Sequence, residues 1–304
     1  MSVAVHPIAA PWRRFHLYSF LIDAPELALV DTGVTASAAG VPAELERLGR
    51  RIEDIRWILL THGHIDHVGG AYALWEATGR RAEVVIGADD AAFVRSRQAH
   101  VDEALALRGD RVGRERLEQE KTAEVAAAVS GEFEPTRLVH GGDRIDLGGV
   151  GVDVHAVPGH TPGAVAYAVD GHVFAGDAVQ AYGAASGFPG YEDPDAYRAS
   201  LERLRALRPA RLYLGHPYRR ADGTPYPVAL DAAGADAALS ASLAAEAAIR
   251  AAVQAHRADE SDSVYSPYAA VAASLDYTGD PTLEPSPFFT TMRGYAVRHP
   301  QEQS

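Results

Sequence analysis

The sequence predicts an α/β fold in which short buried strands end in polar loops that share one edge. The stretch Thr61–Gly70 reads Thr-His-Gly-His-Ile-Asp-His-Val-Gly-Gly and directly follows the apolar run Ile58–Leu60. An apolar run followed by His or Asp recurs at further positions along the chain. Because sites in layered α/β folds lie at the carboxyl ends of strands, this recurrence predicts one functional edge. With 304 residues, 47% of them hydrophobic, the chain can bury the core of one large domain, with or without an appendage.

Composition excludes several classes of function. The net charge of −13 argues against a nucleic-acid binder, which needs a basic face for the phosphate backbone. No apolar run approaches the roughly 18 residues of a membrane span, so we expect no membrane partner. Met1–Pro11 lacks a charged start followed by an apolar segment, which predicts a cytoplasmic protein without a secretory signal. The absence of cysteine excludes disulfides, thiolate metal ligands and a cysteine nucleophile.

The first elements predicted are two strands of a hairpin. Phe15–Ile22 and Glu26–Val30 are apolar runs on either side of a turn at Asp23-Ala24-Pro25. Asp31 follows the second strand, and two interpretations of it stay open: a carboxylate that fixes the loop, or one that orients a ligand histidine.

Helices and a central strand are predicted next. Pro42–Arg50 is expected to form a helix with Leu45 and Leu48 on one apolar face. After the histidine-rich stretch, Ala71–Thr78 is expected to be helical up to Gly79. Glu83–Ile86 then reads as a short strand.

The spacing inside the histidine-rich stretch indicates metal binding. On a helix, His62 and His64 would point roughly 200° apart, because successive residues rotate by about 100°. In extended chain the two side chains share a face, which suits one metal ion. Asp66 and His67 are neighbours whose side chains diverge and can serve a second metal. A loop with surface histidines is the alternative; the apolar strand before the stretch and the Gly-Gly after it favour the metal.

Residues 89–134 interrupt the α/β pattern. They are rich in Ala, Arg and Glu, and we expect two or three amphipathic helices broken near Gly109 and Gly113. Two interpretations remain open: a lid or homodimer face, or a solvated decoration without a role. We expect His100 at the surface of this insertion.

The strand pattern resumes after the insertion and brings three further candidate ligands. His160 lies in the stiff turn Pro158-Gly159-His160-Thr161-Pro162-Gly163, and Asp177 and His216 each follow an apolar strand and a glycine. The predicted strands are Arg137–His140, Arg144–Leu147, Val150–Val157, Ala164–Val169, His172–Ala175 and Pro209–Leu214.

The remaining chain predicts a C-terminal extension. Asp231–His256 reads as an Ala-rich helix with Leu239, Leu243 and Ile249 on one face. Tyr265–Arg293 is rich in proline and aromatic residues, so we expect it to pack on the core and close the pocket. The predicted division is a core of residues 1–228, with the insertion at 89–134, and an extension of residues 229–304.

These motifs together resemble the metallo-β-lactamase-fold superfamily, over about residues 14–218. The order of Asp31, Thr61–His67, His160, Asp177 and His216 carries the resemblance. It implies a four-layer αββα sandwich of two mixed sheets. It further implies one metal on His62, His64 and His160, a second on Asp66, His67 and His216, Asp177 as the bridge, and Asp31 as support for the ligands.

Departures from the family narrow the function that the resemblance implies. The best-known zinc β-lactamases carry a cysteine where Asp177 stands, which disfavours a β-lactam substrate. The bridging aspartate is similar to that of glyoxalase II, N-acyl-homoserine lactonases and related thioesterases. The gap from His67 to His160 is longer than we expect for these enzymes. The helical tail beyond His216 is an addition to their pattern.

The expected function is a dinuclear-metal hydrolase that cleaves a thioester, ester or lactone of a small-molecule acyl substrate with a metal-bound hydroxide. Two divalent ions share such a hydroxide when about 3.5–4 Å apart. Zn²⁺ is the first expectation, with Fe or Mn as alternatives. Asp66 or Asp177 is expected to handle the proton, and Tyr182 and Tyr218 either to bind the oxyanion or to line the rim.

Three other functions stay open on the same motifs. A related branch of the superfamily holds a single iron and oxidises glutathione persulfide, so a mononuclear-iron dioxygenase-like oxidoreductase is one alternative. A phosphodiesterase on the same fold is the second. The third is a binding protein that has lost turnover, which the complete ligand set disfavours.

Overall fold

The computed structural model describes residues 3–12, 15–184, 187–282 and 287–298, and its framework is two six-stranded sheets. The first sheet contains, in spatial order, β1 (Ala4–Trp12), β2 (Phe15–Asp23), β3 (Leu27–Val30), β4 (Ile55–Leu59), β5 (Glu83–Gly87) and β6 (Arg137–Val139). Its first two pairings are antiparallel, and β3 to β6 pair in parallel.

The second sheet is also mixed and has the reverse order. It contains β12 (Ala229–Asp231), β11 (Arg211–Tyr213), β10 (His172–Phe174), β9 (Val165–Val169), β8 (Gly151–Ala156) and β7 (Arg144–Asp146). Only β10 and β11 pair in parallel among these described strands.

Helices accompany both sheets. They are α1 (Thr35–Ala38), α2 (Val41–Arg47), α3 (Ile65–Val68), α4 (Ala71–Ala77), α5 (Ala92–Arg95), α6 (Arg97–Val112), α7 (Arg114–Ala128), α8 (Pro194–Ala206), α9 (Ala232–Ala255), α10 (Ala269–Ser274) and α11 (Pro287–Arg298). None of the helices in the described ranges is long and apolar enough to cross a membrane.

Three apolar clusters define four layers. Phe20 of β2 and Tyr167 of β9 belong to the cluster between the two sheets, whereas Leu45 and Leu74 of α2 and α4 cover the outer face of the first sheet. Leu239 of α9 belongs to the cluster on the outer face of the second sheet. Side chains alternate between the faces of a strand, so both sheets can supply two clusters. The predicted αββα sandwich with a helical insertion and a C-terminal helical extension is confirmed.

The N-terminal strand β1 was not predicted, although the hairpin of β2 and β3 was. Residues of β1 pair with β2 over the full length of both strands, from Ala4 with Asp23 to Trp12 with Phe15. β1 contains Pro7 and Pro11 and lies at the edge of its sheet, where a missing amide donor is tolerated. Proline, and side chains that are exposed or half-exposed at every position of β1 but Ile8, weaken the alternation that would predict a strand.

Two details of the helix predictions need correction. Leu45 is fully buried, but Leu48 is 38% exposed because α2 ends at Arg47 and Leu48 caps it. In the insertion, Gly109 lies inside α6, and the helix breaks only at Gly113, whose φ is +88°. Helix interiors tolerate a glycine at a cost of about 1 kcal/mol, so a glycine alone does not end a helix.

The C-terminal segment packs on the core as expected. Phe288 and Phe289 of α11 are buried in the cluster that covers the second sheet. The strand β12 begins just beyond the predicted boundary at residue 228 and pairs with β11, so the second sheet continues past it. The division of the chain at that residue stays a prediction.

Candidate metal centre

All the predicted donors except His160, which follows β8, lie at the carboxyl ends of two pairs of parallel strands. Asp31 directly follows β3, and the stretch from Thr61 follows its parallel neighbour β4. Asp177 follows β10 and His216 follows β11, which are also parallel neighbours. The carboxyl ends of parallel strands meet at one edge, so the topology brings these side chains together.

Three overlapping groups of donors form one cluster. Within each group the candidate donor atoms lie within 4.8 Å of one another. These groups are His62, His64 and His160; His62, His67 and Asp177; and Asp66, His67 and His216, and a fourth group of His64, Glu103 and Glu192 shares His64 with the first. All seven donors named from the sequence therefore belong to a continuous cluster.

Asp177 lies at the centre of the cluster. Its Oδ1 is 3.4 Å from His67 Nε2, and its Oδ2 is 3.6 Å from His160 Nε2 and 3.5 Å from His216 Nε2. His216 Nε2 is also 3.1 Å from Asp66 Oδ2. A Cβ on Gly215 would come 2.1 Å from Asp177 Oδ1, so only glycine leaves room for the carboxylate.

Outer hydrogen bonds set which ring nitrogen faces the cluster. His67 Nδ1 lies 2.9 Å from the carboxylate of Asp31, which can only accept, so Nδ1 donates. Thr61 Oγ1 is 2.9 Å from Asp31 Oδ2 and donates to it, so the hydroxyl accepts from His62 Nδ1 at 3.1 Å. In both rings the lone pair of Nε2 is left for the interior of the cluster. Such outer partners are what orients metal-binding histidines.

The buried charges of the cluster strongly perturb its pKa values. Burial and the neighbouring imidazoles lower the pKa of His62 well below its usual value. Burial also opposes protonation of His67, but Asp177 and Asp31 outweigh it and raise the pKa of His67 well above normal. Burial alone would raise the pKa of Asp177; His216 and His67 hold it well below its usual value. The cluster therefore holds buried carboxylates whose charge needs a cationic partner.

This cluster fits divalent metal ions. His160 Nε2 and Asp177 Oδ1 are buried and make no hydrogen bond to any described residue. His62 Nε2 and His64 Nδ1 approach to 3.2 Å, and His67 Nε2 and His216 Nε2 to 3.4 Å. A cation between these nitrogens would accept a lone pair from each ring and would balance the charge of the buried carboxylates. Imidazole and carboxylate donors suit zinc, iron and manganese.

Sequence reasoning missed Asp90, which joins the two loops that carry the histidines. Its carboxylate is fully buried and accepts from Gly63 N at 2.8 Å, Thr161 Oγ1 at 2.6 Å and Gly163 N at 2.7 Å. Burial raises the pKa of Asp90 more than these donors lower it. Asp90 follows β5, so the rule that selected Asp31 and Asp177, an acid after a strand, would have selected it too.

Sequence reasoning also missed Gln180, which lies behind His160. Its amide is buried and bonds the backbone of Gly190 and Asp177. No local motif marks this residue, since its partners are distant in sequence or are backbone atoms.

The two tyrosines expected near the substrate have different surroundings. Tyr218 is buried with its ring against His216, and burial together with Asp177 raises the pKa of its hydroxyl well above normal. Tyr182 is half-buried and packs against the cluster that covers the second sheet. A role in substrate binding stays a prediction for both.

The prediction of a surface position for His100 is wrong. His100 is buried, and its Nε2 donates to the carbonyl of Phe93 at 3.0 Å. On the same helix, α6, Glu103 lies with Oε1 3.3 Å from His64 Nε2. The amphipathic face of α6 therefore packs towards the cluster, and part of the insertion lies beside the site rather than in solvent.

Comparison with known proteins assigns the family. The model of the metallo-beta-lactamase superfamily matches residues 13–216, which include all seven clustered donors and Asp31. The chain belongs to this superfamily.

Two curated relatives carry the name hydroxyacylglutathione hydrolase. The one from Acidiphilium cryptum is 34% identical over 185 residues, which cover 60% of this chain and 58% of the relative. The one from Ruegeria pomeroyi is 33% identical over 211 residues, which cover 67% of this chain and 64% of the relative. The match thus spans less than two thirds of the length of these relatives.

A solved structure supports the fold. A metallo-beta-lactamase family protein from Thermus thermophilus is similar with a TM-score of 0.64 and 23% identity, over 91% of both chains. Since both chains are covered almost completely, the likeness extends beyond the region matched by the family model.

Proposed function

We propose that this chain is a dinuclear-metal hydrolase that cleaves an acyl bond: a thioester, ester or lactone. The observation that carries the proposal is the central carboxylate of Asp177, whose two oxygens face histidines of both flanking donor groups. One ion would bind His62, His64 and His160, the second would bind Asp66, His67 and His216, and Asp177 would contact both.

Bound metal would supply the electrophile and the nucleophile. Two divalent cations polarise a substrate carbonyl together and lower the pKa of water from 15.7 towards about 7. Zinc is the first choice for this donor set of nitrogen and oxygen, with iron and manganese as alternatives.

The chain's own groups would handle protons and hold the substrate. The carboxylates of Asp66 and Asp177 lie within the cluster and can accept a proton from an attacking water and pass it to the leaving group. Tyr218, buried beside His216 and Asp177, has a hydroxyl with a raised pKa, which stays protonated at neutral pH and can donate to an oxyanion. Tyr182 is the second candidate for the same contact.

Thioesters are the first substrate class to examine. The curated relatives are named hydroxyacylglutathione hydrolase, and hydrolysis of a thioester uses the same attack on a carbonyl as hydrolysis of an ester or lactone. The match covers only part of each relative. The acyl group and the thiol of this chain's substrate are therefore to be identified with the substrate panel below.

The proposal is tested by metal analysis combined with a substrate panel. We expect about two equivalents of divalent metal, hydrolysis of a thioester or lactone, loss of turnover on chelation, and loss of turnover in Asp177→Ala with an unchanged circular dichroism spectrum. Full activity of the metal-stripped protein would overturn the proposal. Activity confined to phosphodiesters would overturn the substrate class, and a single iron with oxygen uptake would identify an oxidoreductase instead.

A further inference from the structure

The orientation of His160 depends on the carbonyl of Gly190 and the side-chain amide of Gln180, which both contact its Nδ1. His160 Nδ1 lies 2.6 Å from the carbonyl oxygen of Gly190. Gln180 Nε2 also lies 2.9 Å from this Nδ1, but its two protons go to Gly190 O and Asp177 O. The carbonyl of Gly190 is the shorter contact and only accepts hydrogen bonds, so Nδ1 carries the proton. The lone pair of Nε2 is left for the cluster and faces Asp177 Oδ2 at 3.6 Å. The positions of Gly190 and of the Gln180 amide therefore decide where this donor atom points.

Gln180 holds Gly190 from one side. Its Oε1 accepts from Gly190 N at 2.7 Å, and its Nε2 donates to Gly190 O at 2.7 Å and to Asp177 O at 2.9 Å. The side chain is 4% exposed, so water does not compete for these bonds. One amide thus ties the acceptor of His160 to the backbone of Asp177.

Thr291 of α11 holds the same segment from the other side. Its hydroxyl donates to Pro189 O at 2.9 Å and accepts from Tyr191 N at 3.1 Å, and the side chain is fully buried. A Cβ on Gly190 would come 2.9 Å from the Cβ of Pro287, the first residue of α11, so the helix lies directly against Gly190. Backbone atoms on both sides of Gly190 are therefore bonded to the C-terminal helix.

We propose that Thr291 and Gln180 are positioning residues for His160, and that the C-terminal helix α11 thereby helps to fix the geometry of the metal site. This inference rests on the proposed metal site. Locked outer contacts keep a ligand ring in the geometry that a metal requires, and their loss typically lowers metal affinity 10–100-fold. Thr291 lies outside the region that the family model matches, so the support comes from the chain's own extension.

The test compares isosteric and conservative variants at one position. Thr291→Val replaces the hydroxyl by a methyl group of similar size, and Thr291→Ser keeps the hydroxyl. We expect zinc affinity, measured by competition with a chromophoric chelator, to fall about 10–100-fold in Thr291→Val and to recover in Thr291→Ser, with unchanged metal stoichiometry. Thr224→Val, the same substitution at an exposed turn, should bind zinc as the wild type does.

Nitrogen NMR of the zinc-loaded protein gives a readout independent of affinity. The wild type should show His160 protonated at Nδ1, and its imidazole ¹⁵N signals should shift or broaden in Thr291→Val. Gln180→Met, which keeps the length but removes the bonds to Gly190, should have the same two effects. Unchanged affinity and unchanged His160 signals in both variants would overturn the inference. A wild type that binds no metal would overturn the proposed function, and this inference with it.

Discussion

Replacing Asp90 by asparagine should loosen the two loops that present the histidines. In the wild type, Oδ2 accepts from Gly63 N and from the hydroxyl of Thr161, while Oδ1 accepts from Gly163 N. Asparagine keeps one oxygen and replaces the other by an amide donor. The hydroxyl can turn to accept, but one backbone N–H must lose its partner, and the pocket around it is fully buried.

The magnitude follows from that one orphaned amide. A buried donor without a partner costs about 1–3 kcal/mol of stability. We therefore expect the free energy of unfolding, from urea denaturation with excess chelator, to fall by about 1–3 kcal/mol in Asp90→Asn. Because Gly63 lies between His62 and His64, metal affinity should fall as well.

The neighbouring residue provides the control. Asp89 is exposed, so Asp89→Asn should change stability by less than about 0.5 kcal/mol. Equal unfolding curves and equal metal affinities for the two variants would refute the argument that Asp90 joins the loops.

Three further predictions concern the site, the insertion and the core. Gly215→Ala should lower the number of bound metal equivalents, because its Cβ would displace the Asp177 carboxylate. Burial lowers the pKa of His100 from 6.5 to about 4, so between these pH values the unfolded chain takes up a proton that the folded chain does not. Stability should therefore fall as pH drops from about 6.5 to 4, by up to about 3 kcal/mol from this group. Leu45→Ala should cost about 2–5 kcal/mol, but Leu48→Ala less than about 0.5 kcal/mol.

For each of these three predictions there is a control variant and a result that would contradict it. Gly40→Ala, where a Cβ meets nothing closer than 3.5 Å, should keep the wild-type metal content, and loss there too would remove the steric reason given for Gly215. His100→Gln should flatten the acid limb of a stability–pH curve, and an unaltered limb would show that His100 does not titrate as stated. Equal urea midpoints for the two leucine variants would contradict the difference in burial between Leu45 and Leu48.

Local sequence determined most of the strands, though not β1 or β12, and the residues at their ends. The hairpin of β2 and β3 follows from apolar runs on either side of a turn, and the seven clustered donors were named because each is a polar residue after such a run or in a stiff loop. These signals are local, since alternation, turn residues and ligand spacing are properties of a few consecutive residues.

Tertiary structure decided everything that depends on what packs against a residue. Only the fold shows that His100 is buried, that Leu48 is exposed, and that the proline-containing strand β1 forms the edge of the first sheet. Only the fold brings Gln180 and Thr291 around Gly190, because hydrogen bonds to backbone atoms leave no pattern in side-chain identity. The sequence by itself determined which side chains can bind metal; the packing of the loops and of the C-terminal helix decided which way they point.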